Sequence, residues 1–181
     1  IAAIYSWHVT DRLQQAAAPA YAGAAIAGAF AGDLLTLFVF WELTAVTSVF
    51  LVWASRTDGS FRAGLRYLII QVASGVLLLA GIALLAGERG SAALVFDNLW
   101  DRFQEGTAGF WPVTLILVAF GIKAAFPLLH NWLQDTYPEA TVTGTVWLSA
   151  FTTKLSIYAL ARGFAGADCL VWIGAVMTVF P

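Results

Sequence analysis

Long apolar stretches alternate with short polar ones along this chain, and the apolar ones share a length. They cover residues 13–32, 34–53, 67–86, 111–134 and 143–161, with a further one opening at Cys169. About 20 apolar residues wound as an α-helix cross a hydrocarbon layer of about 30 Å. The pattern therefore predicts an all-α fold, a polytopic transmembrane helix bundle of about five full helices plus a truncated sixth. The helix over 111–134 is expected to be broken at Pro127, where the ring removes a backbone donor and crowds the preceding turn. A carbonyl freed at that depth has to be met by protein or water, which predicts a cavity nearby.

The polar punctuation refines these boundaries. Residues 1–12 read as the end of a hydrophobic segment and a polar turn holding His8. Asp33 is placed to cap the helix that follows it. Small residues in AYAGAAIAGAFAG recur every three or four positions, a spacing that lets helices approach closely in lipid; Pro19, near the start of this segment, is tolerable there. Arg56 to Arg66 reads as a link with three arginines, which assigns it to the cytoplasmic side; Arg162 would then lie on the far side. The longest polar stretch, 87–109, sets Glu88, Asp97, Asp101 and Glu105 against Arg89 and Arg102. Within it VFDNLWDRF suits a short interfacial helix anchored by Trp100. Asp135, Pro138 and Glu139 mark one more link, and 163–168 a last turn.

Composition agrees. Hydrophobic residues make up 60% of the 181 and charged ones 11%, against about 25% charged in a soluble domain. A formal net charge of −2, with cations thinly spread, excludes a nucleic-acid partner. Cys169 is the single cysteine, so there is no disulfide framework and no cysteine-based cluster. No glycine-rich phosphate loop is found, and no cofactor or metal is expected. The chain begins with Ile1 and ends at Pro181 inside an apolar run, which reads as one membrane domain, 1–181, from within a longer protein.

Three charges interrupt the apolar segments, namely Glu42, Lys123 and Lys154. A charge at the centre of a membrane helix costs roughly 2.5–3.5 kcal/mol on insertion scales, so such residues face a bundle interior or a wet cavity and mark ion or proton paths. The alternative for Glu42 is a protonated, structural acid or one near a water-facing end; about eight apolar-rich residues lie on either side. For Lys123 and Lys154 the alternative is snorkelling, at about 12 and 11 residues into their segments. His130, just past the proline, either joins the path or hydrogen-bonds a freed carbonyl. Asp33, Asp135 and Glu139 read as caps, Trp111, Trp132 and Trp172 as belt or packing residues. Thr152, Thr153 and Ser156 either hold water beside Lys154 or pack. Burial disfavours a charged amine and a nearby carboxylate favours it, so movement of Glu42 relative to Lys123 would swing the lysine's hold on its proton. Protonated amines have no lone pair for a metal.

The stretches GDLLTLFVFWEL, GIKAAFPLLHNWLQD and LSAFTTKLSIYALAR resemble the antiporter-like, proton-conducting subunits shared by respiratory complex I and Mrp-type sodium/proton antiporters. The run TTK-x-x-x-YAL-x-R leans toward the D-type component of Mrp antiporters. The resemblance implies about fourteen helices in two inverted five-helix repeats, of which this chain holds roughly the fourth helix to the ninth. It implies that Glu42 is the acid of the fifth helix, Lys123 the lysine of the broken seventh, Lys154 that of the eighth, and His130 the histidine after the proline. The motif here reads PLLH, with Asn131 before Trp132. Where some members carry an aspartate in the sixth helix, this chain has Gln71 and Ser74.

The resulting reading is a subunit of a cation/proton antiporter complex in a bacterial inner membrane. Glu42 modulates, Lys123 carries the proton, and Lys154 with His130 continues the path. Its expected partners are the lipid bilayer, other membrane subunits, protons and sodium. The rivals are a proton-pumping subunit of an NADH:quinone oxidoreductase, with a redox label only through its parent complex, an inert membrane scaffold, and a cation channel. A channel favours rings of acids over paired lysines.

Overall fold

The computed structural model describes residues 1–90, 94–104 and 107–179. Glu105 and Pro181, singled out above, lie outside them. Among the described residues the structure is helical, with a single β-bridge between Asp33 and Val95. The elements are α1 (Ala2–Tyr5), α2 (Arg12–Ala29), α3 (Leu34–Trp53), α4 (Asp58–Arg89), α5 (Leu99–Gln104), α6 (Thr107–Ala124), α7 (Asn131–Thr136), α8 (Val142–Gly163) and α9 (Asp168–Val179). The five long helices are α2, α3, α4, α6 and α8, with α9 as the sixth.

The predicted 34–53 segment is α3 to the residue, because Asp33 caps it: its carboxylate accepts from the Thr36 hydroxyl at 2.6 Å and from the Thr36 N–H at 2.7 Å. The link expected over Arg56 to Arg66 is mostly helix instead. Thr57 and Ser60 form a reciprocal capping box, and Asp58 sits in the first turn where the helix dipole favours an acid, so α4 starts nine residues before the apolar run. Arg66 then pairs with Asp135 across an exposed face. The interfacial helix predicted around Trp100 is shorter and begins at Leu99, where Asn98 accepts from the Trp100 N–H; Trp100 stacks on Phe103.

The broken helix ends earlier than its proline. α6 stops at Ala124, and 125–130 runs through positive φ at Ala125 and Leu128 on either side of Pro127. The residue before a proline is pushed out of the helical region, so the break begins on its N-terminal side. At this end the Gly121 carbonyl accepts from the Phe126 N–H at 2.9 Å, and the Ile122 carbonyl accepts from the Trp132 indole N–H at 2.9 Å. Trp132 itself is buried against Val49 and Tyr67.

Two kinds of apolar surface coexist. Leu37, Trp41, Leu78, Ile82, Ile116, Phe120, Leu155 and Ala159 form the core where α3, α4, α6 and α8 meet. Leu35, Val39, Val46, Ile69, Val76 and Leu79 point outward. Large aliphatic side chains outside as well as inside are what lipid demands and water forbids. α3 and α4 are each long and apolar enough to cross a bilayer. The small residues Ala17, Ala24, Ala25 and Gly28 of α2 are buried along with Tyr21, and Gly28 meets Phe40 of α3 and Leu155 of α8. Gly81 does the same for α4 and α6, since a Cβ there would overlap Ile116 and the Pro112 carbonyl. At one end Arg162 ties the loops: it donates to the Ala31 carbonyl at 2.7 Å while lying 4.4 Å over the Phe96 ring.

Candidate functional site: a polar seam inside the bundle

Polar side chains are concentrated where α3, α4 and α6 touch. Trp41 of α3 donates its indole N–H to Ser74 of α4 at 3.1 Å, and Ser74 donates to the Ala119 carbonyl of α6 at 2.8 Å. One turn further along α6 stands Lys123, fully buried. Its amine donates to the Trp41 carbonyl at 2.7 Å and to the Thr44 hydroxyl at 2.8 Å, and lies 4.4 Å over the Trp41 ring. Thr44 in turn donates to the Trp41 carbonyl at 2.7 Å. Snorkelling is thereby excluded: the stem runs inward, not along a surface.

Glu42 lies in the same region. A Cβ on Gly75 would overlap its carboxylate, so the acid occupies space that only a glycine on α4 leaves open. Glu42 Oε1 is buried and has no hydrogen-bond partner among the described residues. The carboxylate and the Lys123 amine are near enough for each to act on the other's charge, without forming an ion pair. The structure thus brings Glu42 and Lys123 together in one region.

Further hydroxyls extend the seam toward α8. Ser48, one turn beyond Thr44, bonds the Tyr67 hydroxyl at 2.7 Å. Tyr67 lies next to Thr152, and Thr152 bonds the Tyr21 hydroxyl. Ser48, Tyr67, Thr152, Tyr21 and Ser156 are all buried. The two tyrosines went unnoticed in the sequence because their rings suit an apolar segment; their one signal was a hydroxyl at a depth where it needs a partner.

Lys154 is placed differently. It is exposed, bonds only the neighbouring Thr153 at 3.3 Å among the described groups, and lines a shallow groove with Ala25, Ile26, Ala29, Phe151 and Tyr158. The groove lies between α2 and α8 on the outer face of the described bundle. His130, half-buried, caps the start of α7 through its backbone; its side chain makes no cap bond, and no hydrogen bond joins it to either lysine among the described residues. The described residues hold no group of three or more His, Cys, Asp or Glu suited to a metal.

Comparison with known proteins identifies relatives of this chain. Residues 31–179 match the family described as "NADH:quinone oxidoreductase/Mrp antiporter, TM". The D-type component of the Na(+)/H(+) antiporter of Bacillus subtilis is 27% identical over 169 residues, covering 87% of this chain and 34% of that protein. The N-type component of the NADH-quinone oxidoreductase of Heliobacterium modesticaldum is 34% identical over 159 residues, covering 83% of this chain and 33% of the relative. Among solved structures, the Mrp complex from Dietzia sp. DQ12-45-1b contains a polypeptide that superposes with a TM-score of 0.75 at 29% identity, over 87% of this chain and 30% of the other. The chain spans about a third of the length of the relatives it matches. With the match running across α3 to α9, the chain belongs to the transmembrane family shared by NADH:quinone oxidoreductases and Mrp antiporters.

Proposed function

We propose that this chain is part of an antiporter-like subunit that moves protons across a membrane, with Lys123 as the central proton carrier. The observation that carries the reading is the Lys123 amine, wholly buried, held by one carbonyl and one hydroxyl, with the Glu42 carboxylate close by. An amine with neutral partners can give up its proton at modest cost, and a mobile carboxylate decides when. Glu42 is the modulator. Lys154 continues the path at the α2–α8 groove, and His130 is assigned to the same path from its place beside the helix break.

The exchanged ion is sodium, by likeness to the D-type antiporter components, and the site of action is a bacterial inner membrane with other membrane subunits as partners. A redox-driven setting is the second reading, favoured by the 34% identity to a quinone oxidoreductase component. The experiment is proton flux in vesicles carrying the full complex, with Lys123→Ala. Flux should fall roughly 10²-fold or more, the usual scale for removing a proton-transfer group. Flux at the wild-type rate would leave a scaffold as the only role. Sodium dependence without quinone or donor separates the antiporter from the redox-driven reading.

A further inference from the structure

The three helices of the seam meet in turns, and the turns can be read off the bonds. Trp41–Ser74 and Ser48–Tyr67 fix the antiparallel register of α3 and α4. Each step up α3 is matched by an equal step down α4, which brings Gln71 level with Thr44. Ser74 to the Ala119 carbonyl sets α6 in the same frame, one turn before Lys123. Thr44, Gln71 and Lys123 thus share a layer. In the layer of Trp41, Ser74 and Ala119 every side-chain group named is bonded; in this one the Gln71 amide is not. Gln71 is fully buried, and both its Oε1 and its Nε2 lack a hydrogen-bond partner among the described residues. The same holds for Glu42 Oε1.

Leaving a buried amide wholly unpaired costs about 1–3 kcal/mol for each group, so the partner is to be sought by its chemistry. It must donate to Gln71 Oε1 and accept from Gln71 Nε2. A metal or sodium ion satisfies only the oxygen and is repelled by the amide protons and by a charged amine. A second amide or hydroxyl would have to come from a packed helix. Thr44 of α3 is already bonded to Trp41 and Lys123. The Thr136 hydroxyl of α7, unbonded among the described residues, sits between Asp135, paired with Arg66, and Tyr137, packed near Tyr67, more than a turn of α4 away from Gln71. Water does both, and buried waters typically make about three bonds to otherwise unpaired polar groups. The Lys123 ammonium, with three donors and two acceptors in place, has one N–H left for the same water.

We infer that Gln71 holds water in the layer of Lys123 and Thr44, and that this water is the bridge between the Glu42 carboxylate and the Lys123 amine. Gln71 is then a positioning residue: it carries no proton itself, and it fixes the oxygen that does. The inference rests on the proton-transfer reading given above, and its test keeps the two apart.

The full complex is studied as wild type, Gln71→Leu, Gln71→Glu and Lys123→Ala. The first readout is the infrared O–H stretch of buried, slowly exchanging water, recorded as a difference between wild type and Gln71→Leu. A band lost in Gln71→Leu supports the site; identical spectra overturn it. The second is proton flux in vesicles. Gln71→Leu, near in volume and free of unpaired polar atoms, should fold and melt no lower than wild type, yet lose about tenfold in flux, the scale of one hydrogen bond. Gln71→Glu, which keeps an oxygen at the same reach, should recover most of it. Full flux in Gln71→Leu overturns the bridging role whatever Lys123→Ala does. Full flux in Lys123→Ala overturns the transfer reading and the bridge with it, and the infrared difference then still decides whether Gln71 binds water.

Discussion

Lys123 and Lys154 give the same sequence signal, a single amine about halfway along an apolar helix, and end in opposite surroundings. Lys123 is fully buried, with a carbonyl, a hydroxyl and an indole face around it. Lys154 stands in an outward groove beside its own neighbour Thr153. Depth in a segment gives the cost of a charge; it does not give the face of the helix that bears it. For Lys123 the cost is offset inside this chain. For Lys154 it is not, and a lone amine facing lipid is the one outcome its cost forbids. Among the described residues the Lys154 amine bonds Thr153 and faces the open groove between α2 and α8.

Mutating each lysine separates the two cases. Lys123→Ala should cost flux roughly 10²-fold or more and also stability, by about 2–4 kcal/mol, because the stem fills space between α3 and α6. Lys154→Ala should also cut flux, but shift stability within about 0.5 kcal/mol, as for an exposed residue. Melting of the solubilised protein and vesicle flux on the same two variants check this. Equal losses of stability would show that the two amines are packed alike after all.

The next effect is smaller and isolates Glu42. A Cβ at Gly75 overlaps the Glu42 carboxylate, a flexible end that can swing away, so Gly75→Ala should displace the acid without breaking the α3–α4 contact. Flux is expected to fall about tenfold, with stability changed by less than about 1 kcal/mol, the gain in helix propensity working against the crowding. A variant with wild-type flux would mean that the acid's position does not matter to Lys123.

Much of this is legible in the amino-acid sequence. The set of long helices, the α3 boundary, the broken helix and the depth of Glu42 and Lys123 all follow from apolar run length and a few punctuating residues. The start of α4 is not, because Asp58, Arg62 and Arg66 are polar and good enough helix residues once Thr57 and Ser60 close the cap. Nor is the outward turn of Lys154: α8 carries apolar residues on its exposed face too, with Ile157 and Tyr158 beside the lysine, so no polar side distinguishes in from out. The seam itself is the hardest part. Thr44, Ser48, Tyr67 and Gln71 are scattered singly over two segments, and only the register of α3 on α4 gathers them.

The smallest effect tests the frame that carries the seam. Asp33 sits at the head of α3, where the Thr36 hydroxyl and then the Thr36 N–H donate to its carboxylate and hold its carboxyl below the usual range. A carboxyl depressed on folding stabilises the protein above its unfolded value of about 3.9, and that contribution fades as the pH falls through the lower, folded value. Asp33→Ala should therefore lower stability by about 1 kcal/mol at pH 7, the worth of one cap, and the gap to wild type should narrow below about pH 4. Melting curves at the two pH values measure it. A gap that stays constant into acid would mean that the cap acts through its shape and not its charge. A cap worth several kcal/mol would mean that α3 depends on Asp33 for its position, and with α3 the height at which Trp41 and Thr44 meet Lys123.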